Sequence, residues 1–246
     1  MRIVFWNIRA GGGGRVERIA GRLRAWKPDL VALCEFRATP PSLELSRLLS
    51  ADGLAHQCRT ADAALPGANC LLLAARWPLQ RLRSRAEPAE PGRWLLVSLA
   101  APRPFTLGVM HVPNRVTGRK YVFHDAVLAV LRRWRLGPAL LVGDTNSGRP
   151  EIDEETPVFG PREASWLEAL ERLGWADAFR LVHGLRRAYT WYSPNGRNGF
   201  RIDQAFLNRE LQPRLDRVAH AWGGRGAPRG GPGLSDHAAL LLDLRD

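Results

Sequence analysis

Residues 139–146 read Ala-Leu-Leu-Val-Gly-Asp-Thr-Asn, an apolar run that leads directly into polar side chains. Short runs that are rich in Leu and Val and end at Gly, Asn or Asp are typical of β-strands. We therefore predict a strand over Ala139–Asp144. Asp144 and Asn146 then lie at the end of this strand, where a polar group can reach the rim of a sheet and no charge is left alone in the core.

Polar side chains occur beside or within predicted strands at five further places in the chain. Asn7, Glu35 and His111 close or follow apolar runs, Asp203 lies in Arg201-Ile202-Asp203, and Asp236-His237 immediately precede the last strand. Each signal is weak alone, because an isolated Asn is usually a turn residue, an isolated Glu a surface carboxylate and an isolated His a structural side chain. Together they predict that distant segments bring their polar groups to one rim of the fold.

Strands outnumber helices, and the helices come between groups of strands. Ten runs predict strands: Arg2–Asn7, Asp29–Glu35, Asn69–Ala75, Trp94–Ala101, Phe105–His111, Ala139–Asp144, Tyr189–Ser193, Arg201–Asn208, Arg217–Trp222 and Ala238–Leu244. Helical periodicity is clearest over residues 16–26, recurs over 127–134 and is weaker over 166–173. This order favours an α/β (α+β) fold of two packed sheets with helices outside them. No repeat or linker divides the chain, so we predict one domain over residues 1–246.

The chain is strongly basic, with a formal net charge of +12 and a pI near 11.1. Almost all of the positive charge is arginine, since only Lys27 and Lys120 are lysines. Nucleotide bias can explain arginine in place of lysine, but it does not explain why the acids fail to balance the bases. A field of this sign favours polyanions, and we expect nucleic acid, with DNA preferred, as the partner.

Other features of the sequence limit the protein class. No apolar run reaches the length of about 18 residues that a membrane span needs, so we expect no membrane partner. The first residues, Met1–Asn7, read as a strand and not as a secretion signal. Cys34, Cys58 and Cys70 lack the spacing of a zinc ribbon or a disulfide scaffold, so we expect a reducing cytoplasm. Oligomeric state is not predicted, and a monomer is the working expectation.

The polar set suits the hydrolysis of a phosphoester. That reaction requires neutralising the phosphate charge, producing a nucleophile from water and stabilising the leaving oxygen. A hard Mg²⁺ ion takes oxygen ligands, typically one or two carboxylates plus water and substrate phosphate. Glu35 and Asp236 can supply those carboxylates, with Mn²⁺ as a substitute ion.

The remaining polar residues suit the other tasks of the reaction. His237 can polarise the phosphate or take a proton if Asp203 orients its ring. Asp144 can align the attacking water. Asn7 and Asn146 can donate hydrogen bonds to the anionic transition state.

Short motifs occur in order along nearly the whole chain, namely Trp6-Asn7, Cys34-Glu35, Gly143-Asp144-Thr145-Asn146, Arg201-Ile202-Asp203 and Ser235-Asp236-His237. The set resembles the signature blocks of the endonuclease/exonuclease/phosphatase superfamily. The segment from Tyr189 to Asp203 is similar to the exonuclease III and abasic-site endonuclease branch. The resemblance implies a four-layer sandwich like that of pancreatic deoxyribonuclease, with the site at one end of two facing sheets. It also implies the roles given above, with Glu35 as the principal metal ligand and Asp236 as a supporting one.

Two positions depart from that branch. Arg9 stands where abasic-site endonucleases usually carry Asp or Asn, so a second metal ion lacks a ligand there. Its guanidinium either holds a substrate phosphate or is a solvated charge. His111, in the motif His111-Val112-Pro113-Asn114, stands where the branch usually has Tyr. A histidine here is more similar to the pancreatic deoxyribonuclease and phosphatase branches, in which it can protonate the leaving oxygen, with Asn114 as a further substrate contact.

These features favour a DNA-acting nuclease, including the abasic-site type. Trp191, Phe200 and Ile202 match positions that line the abasic-sugar pocket of that branch, although they equally suit a sheet core. The Gly/Arg/Pro stretch Gly223–Gly233 either contacts substrate or is a passive surface loop.

Alternative interpretations remain open. The main one is a Mg²⁺-dependent phosphatase or phosphodiesterase that acts on a small phosphorylated molecule or a lipid headgroup, which His111 and the compact length favour. A non-enzymatic nucleic-acid binder is disfavoured, because a site without catalytic activity does not need the full set of polar residues. We expect the acids of residues 151–155 to lie on a solvated loop, and we assign no role to the remaining histidines or to Cys58.

Overall fold

The computed structural model describes residues 1–195, 197–224 and 233–245. Strands of the first sheet are β1 (Arg2–Asn7), β2 (Leu30–Phe36), β3 (His56–Arg59), β4 (Cys70–Ala75), β13 (Leu215–Ala221) and β14 (Ala239–Leu244). They are arranged in the order β13-β14-β1-β2-β4-β3. Only β1 and β2 run parallel, and the other neighbours in this sheet are antiparallel.

The second sheet also has six strands. They are β5 (Leu79–Leu82), β6 (Trp94–Leu99), β7 (Phe105–His111), β8 (Ala139–Asp144), β9 (Trp175–Asp177) and β12 (Asp203–Asn208). Their order is β5-β6-β7-β8-β12-β9, and β7 and β8 are the parallel pair. Two short strands, β10 (Trp191–Tyr192) and β11 (Gly199–Phe200), form a separate antiparallel pair.

Helices cover the outer faces of both sheets. Residues of α1 (Val16–Trp26) and α2 (Pro40–Ala51) form one apolar cluster with the first sheet. Residues of α3 (Lys120–Arg132) and α4 (Pro161–Arg172) form another with the second sheet, while α5 (Ala178–His183) contacts β12 and β13. Within the described part of the chain, no helix has the length and apolar character that a membrane span requires. The four-layer sandwich of two mixed sheets between helices is therefore confirmed.

The core between the sheets follows from the alternation of side chains along each strand. In β1, Ile3 and Phe5 pack between the two sheets, whereas Val4 and Trp6 face the helices. Because both faces are buried, the central strands read as continuous apolar runs instead of alternating ones. Each such side chain contributes about 2 kcal/mol on burial, which makes this double core the main stabilising element.

Strand register brings the polar strand ends to one rim. In the second sheet, Asp144 on β8 lies opposite His111 on β7 and opposite Asp203 on β12. Gly143 permits this close pairing, because a Cβ atom at that position would collide with the carbonyl oxygen of Met110. In the first sheet, Asn7 lies opposite Cys34, the residue before Glu35. Both parallel pairs therefore end at the same side of the molecule.

Several elements differ from the sequence-based expectation. The structure adds the strands β3, β5, β9 and β11 and the helices α2 and α5. Strands β3 and β5 are partly exposed, so they lack the apolar runs by which the other strands were predicted. Helix α2 begins at Pro40, a position where proline is well tolerated because it lies in the first turn of the helix. Helix α3 begins seven residues before the periodic segment at 127 and ends at Arg132.

The expectation of a solvated acidic loop at residues 151–155 is wrong for two of its four acids, whereas Glu151 is exposed. Asp153 is fully buried and Glu154 is 1% exposed. Oε2 of Glu154 accepts hydrogen bonds from the backbone N–H groups of Val158 and Phe159, which fold the segment into a compact loop. The buried carboxylates of this segment accept hydrogen bonds that stabilise the fold, which composition alone does not predict.

A buried ion network lies directly behind the rim. Arg201, fully buried, donates from Nε to Asp153 at 2.7 Å and from Nη2 to Asp177 at 2.5 Å. Arg180 also pairs with Asp153. Burial alone raises the pKa of Asp153, but Arg201, Arg180 and the backbone N–H of Arg149 together outweigh burial and hold that pKa below its usual value. Removing one partner from such a network leaves a buried charge uncompensated.

We expect Arg201→Met to lower the free energy of unfolding by about 3–5 kcal/mol, measured by urea denaturation at pH 7, because Asp153 and Asp177 lose their buried partner. The matched control is Arg76→Met, which removes a half-exposed pair with Asp29 and should cost about 0–1 kcal/mol. Equal losses in the two variants would contradict this account of the network.

Candidate functional site

A cavity of about 290 Å³ opens at the rim where the strands of both sheets end. Its walls are formed by Glu35, Asn69, Arg93, His111, Asn114, Thr117, Asp144, Asn146, Trp191, Ile202, Asp236 and His237. Glu35 and Asp236 line the same cavity although about 200 residues separate them in the chain. The structure therefore brings together the two carboxylates that the sequence predicted as metal ligands.

Asn7 joins the two sheets at the floor of the site. Its Nδ2 donates to Asp144 Oδ2 at 3.0 Å and to Glu35 Oε1 at 3.3 Å. Its Oδ1 accepts the backbone N–H of Arg9, and its carbonyl accepts the Ser235 hydroxyl at 2.5 Å. Asn7 is 1% exposed and does not line the cavity, so its amide positions the acids from behind, in place of the predicted hydrogen bond to a substrate oxygen.

Glu35 adopts a left-handed backbone conformation, with φ of 55°. Arg9 and Ala10 do the same, with φ of 54° and 51°. Non-glycine residues seldom adopt this conformation, and when they do they cluster at functional sites. The turn directs the Ala10 N–H to Glu35 Oε2 at 2.7 Å. Strained backbone on both sides thus holds the Glu35 carboxylate in one orientation.

Asp144 lies at the centre of the polar set and is 2% exposed. Its Oδ1 accepts the backbone N–H of Asn146 at 3.1 Å. Its Oδ2 lies 3.8 Å from His111 Nε2 and 3.9 Å from His237 Nε2. Burial raises the pKa of Asp144 above its usual value, and His237 only partly opposes that shift. The carboxylate is therefore more basic than an exposed one.

His237 is paired with Asp203. Its Nδ1 lies 3.0 Å from Asp203 Oδ2 and 3.2 Å from Oδ1, and both residues are buried. Burial by itself lowers the pKa of His237, but Asp203, helped by Asp144 and Asp236, outweighs burial and raises that pKa to about 10. At neutral pH the ring is an imidazolium whose Nε2 side faces the cavity wall shared with Asp144.

His111 has the opposite electrostatic character. Burial lowers the pKa of His111 to about 4, and Arg93 adds to that shift while Asp144 opposes it. The Arg93 guanidinium also donates to the carbonyl of His111 at 3.3 Å. In the free protein this imidazole is neutral at pH 7, so the two histidines of the site differ in charge.

The predicted aromatic wall is divided between the cavity and the core. Trp191 and Ile202 line the cavity, and Trp191 Nε1 donates to Asp236 Oδ2 at 3.3 Å. Phe200 lies behind them, 7% exposed, with its ring centroid 5.8 Å from that of Trp191. Phe200 supports the wall and does not line it.

The outcome differs among the other predicted substrate contacts. Arg9 has an exposed side chain and is absent from the walls, although its backbone belongs to the turn beside Glu35. Most of the stretch Gly223–Gly233, residues 225–232, lies outside the described residues. Asn114 does line the cavity, at an exposed position on the rim, and Asn146 Nδ2 donates to the Val112 carbonyl at 2.8 Å.

Sequence reasoning missed three residues of the walls. These are Asn69, Arg93 and Thr117. Asn69 precedes β4 and Arg93 precedes β6, so each adjoins the start of an apolar run. The same position before a strand marks Asp236-His237, so this signal could have identified Asn69 and Arg93. Thr117 lies in a short 3-10 helix (Arg115–Thr117) that no periodicity marks.

The oxygen donors of the cavity fit a hard divalent cation. Each Glu35 oxygen accepts one N–H donor and keeps a second lone pair, and the exposed Asp236 has one oxygen without such a donor among the described residues. Ligand atoms of Asp144, Asp203 and His237 also lie within 4.8 Å of one another. The hydrogen bond between Asp203 and the His237 ring already accounts for the proximity of two members of this group.

Comparison with known proteins agrees with this geometry. The model of the Endonuclease/Exonuclease/phosphatase family matches residues 4–237. The chain therefore belongs to this family, and it is a phosphoesterase, a hydrolase that acts on ester bonds, in a family of enzymes that depend on divalent metal ions. No curated protein matches the chain.

Solved structures with the same fold include three of nucleic-acid enzymes, two of which are structures of NExo. An AP endonuclease from Archaeoglobus fulgidus has a TM-score of 0.81 at 18% identity, covering 99% of each chain. The 3′-5′ exonuclease NExo from Neisseria meningitidis has a TM-score of 0.78 at 20% identity over 100% of each chain. The 3′ phosphatase NExo from Neisseria bound to product DNA hairpin has a TM-score of 0.78 at 19% identity, also over 100% of each chain. At these identities the similarity establishes the fold.

The pairing of His237 with Asp203 leads to a measurable titration. In metal-free protein, NMR titration should place the pKa of His237 near 10, and Asp203→Asn should lower it toward the usual 6.5, because the opposing carboxylate is lost. Asp216→Asn, at an exposed pair with Arg245, is the control and should leave the pKa of His237 unchanged. A His237 pKa that does not respond to Asp203→Asn would show that the pair does not hold the charge.

Proposed function

We propose that the chain is a Mg²⁺-dependent nuclease that hydrolyses phosphodiester bonds in DNA, with residues 1–246 forming a single catalytic domain. One observation carries the proposal: Glu35 and Asp236 line one cavity together with the His237 and Asp144 side chains. That cavity belongs to a protein with a formal net charge of +12, which attracts a polyanion.

Glu35 and Asp236 are proposed to hold the metal ion. Mg²⁺, or Mn²⁺ in its place, supplies charge neutralisation at the phosphate and a lower pKa of bound water. Asn7 and the Ala10 N–H orient Glu35, and Trp191 orients Asp236. Arg9 carries a cation where a second carboxylate would be needed, so we propose a single ion.

The buried acids and imidazoles are proposed to carry the proton and phosphate chemistry. His237, held as imidazolium by Asp203, donates to a non-bridging oxygen of the scissile phosphate and stabilises its developing charge. Asp144 accepts the proton of the attacking water, a role that its raised pKa favours.

Four further polar residues complete the proposed site. Asn7 and Asn146 hold Asp144 and the rim of the phosphate site. His111 is neutral in the free protein and donates one N–H to the phosphate. The negative charge of the bound substrate favours protonation of the His111 ring, and the protonated ring delivers a proton to the leaving oxygen. Asn114, at the exposed rim, contacts the same phosphate group or its neighbour.

DNA is the proposed substrate because the charge and the wall of the cavity both suit it. Trp191 and Ile202 offer an apolar face against which a sugar or base freed from its neighbours can pack. An AP endonuclease and a DNA-bound 3′ phosphatase share the fold, and an abasic site is a favourable target for a wall of this kind. Free thiols at Cys34, Cys58 and Cys70 support a reducing cytoplasm as the compartment.

A small phosphorylated molecule is the second candidate substrate. It is favoured by the cavity volume of about 290 Å³, which accommodates a single phosphorylated group, and by His111, a proton donor suited to a monoester.

We expect Glu35→Gln to lower turnover with Mg²⁺ by at least about a hundredfold, because the amide retains the bond from Ala10 but loses the charge that holds the ion. DNA affinity should change little. Glu44→Gln on the exposed face of α2 is the control and should keep full activity. Turnover that persists in Glu35→Gln would remove the proposed mechanism.

A substrate panel separates the two candidates. Duplex DNA with an abasic site, intact duplex and a soluble phosphomonoester are assayed with Mg²⁺ and with chelator. The nuclease proposal predicts the highest kcat/KM on DNA, with rates that fall as salt rises. Salt-insensitive hydrolysis of the phosphomonoester at a rate that DNA cannot match would favour the second candidate.

A further inference from the structure

Edge strands of the two sheets meet at one side of the molecule. Strands β3 and β5 are the terminal strands of their sheets and contact each other. Strand β3 ends at Arg59, and β5 contains Arg81 and is followed by Arg83. Burial raises the pKa of the Cys58 thiol on β3, and Arg81 and Arg83 lie close enough to oppose that shift. Arg59 lies on the other face of β3, since its cross-strand partner Leu72 faces the helices whereas Cys58 packs between the sheets. We call Arg59, Arg81 and Arg83, which flank this edge from its two faces, the edge cluster.

The edge cluster is continuous with the cavity wall. The hydroxyl of Thr60, which follows Arg59, donates to the carbonyl of Gly92 at 3.0 Å, and Gly92 precedes the cavity residue Arg93. This bond ties the end of β3 to the start of β6, so Arg59 and Arg93 are each one residue from the same contact. On the outer face, the Arg37 guanidinium donates to Asn69, another cavity residue, at 2.8 Å. Cationic groups therefore extend from the cavity to the sheet edge.

Acidic residues do not neutralise this surface. Within the described ranges, Arg59 and Arg81 form no ion pair, and Arg83 has one exposed pair with Glu87 at 3.0 Å. Residues 56–93 contain six arginines against one aspartate and two glutamates. Charged side chains on edge strands also prevent sheet-to-sheet aggregation. That role explains a charge on each strand, but it does not explain why the charges continue to the cavity.

We propose that the edge cluster binds the phosphodiester backbone of a nucleic-acid strand that extends beyond the cavity. Arginine suits this role, because its planar fork of N–H donors matches a phosphate group. The four residues of β3 span about 13 Å, a length over which a strand of duplex DNA presents several phosphates. The inference rests on the proposed nuclease function and adds that the substrate is a polymer whose path crosses the β3–β5 edge.

The test measures salt-dependent binding, which needs no turnover. Full-length protein in chelator is titrated with a labelled duplex of about 30 base pairs at several salt concentrations. Arg59→Gln/Arg81→Gln should weaken binding by about tenfold at low salt and reduce the slope of log Kd against log salt by about 1.8, or 0.9 for each lost phosphate contact. The charge-matched control is Arg132→Gln/Arg133→Gln, at exposed positions at the opposite end of α3 from the cavity, and its slope should match that of the wild type.

Two further measurements make the result decisive. Arg59→Lys/Arg81→Lys, which keeps both charges, should retain the wild-type slope. Relative to the wild type, the Gln variant should lose about tenfold more kcat/KM in hydrolysis of the duplex than in hydrolysis of bis(4-nitrophenyl) phosphate. That diester is too small to reach β3. Any of three results would overturn the proposal: an unchanged slope in the Gln variant, an equal loss of DNA affinity in the Arg132/Arg133 control, or a reduced slope in the Lys variant. Persistent turnover in Glu35→Gln would instead overturn the proposed function, and the slopes would still decide the role of the edge cluster.

Discussion

The site depends on one amide group that connects two sheets. Asn7 ends β1 in the first sheet, and its Nδ2 reaches both Glu35 of the same sheet and Asp144 of the second sheet. The hydrogen bonds are possible only because the apolar faces of the sheets pack together and bring the two strand ends to a common rim. The packing of the Leu, Val and Ile core therefore holds Glu35 and Asp144 at a fixed distance, although the two acids would otherwise repel each other.

Opposite charge states of two histidines follow from their different neighbours. His237 faces the carboxylate of Asp203 and is held as a cation, whereas His111 is buried without a carboxylate at hydrogen-bonding distance and is held neutral. Asp144 lies within 4 Å of both rings. Burial raises the pKa of Asp144, which suits the proposed acceptance of a proton from the attacking water. Behind them, Arg201 and its two aspartates keep the supporting strand in place.

Most of the buried strands and the central residues of the site could be predicted, because apolar runs with polar ends are a local signal. Strands β1, β7 and β8 have the predicted bounds, and Glu35, His111, Asp144, Asp236 and His237 meet in one cavity. Strands β3 and β5 and helix α2 could not be predicted in this way, since they are short or partly exposed and are stabilised by neighbours distant in sequence. The buried acids of residues 151–155 were missed for the same reason: Asp153 finds its partner in Arg201, 48 residues away.

The sequence by itself determined the fold class, the polar strand ends and the basic charge, because periodicity and composition act over a few residues and need no partner. Only the tertiary structure decided which side chains face the cavity: it placed Trp191 and Ile202 in the wall, Phe200 behind it, and brought in Asn69, Arg93 and Thr117. It alone also decided the protonation states of the two histidines. Both outcomes depend on burial and on distances between segments, which arise only when the sheets pack and exclude water from between them.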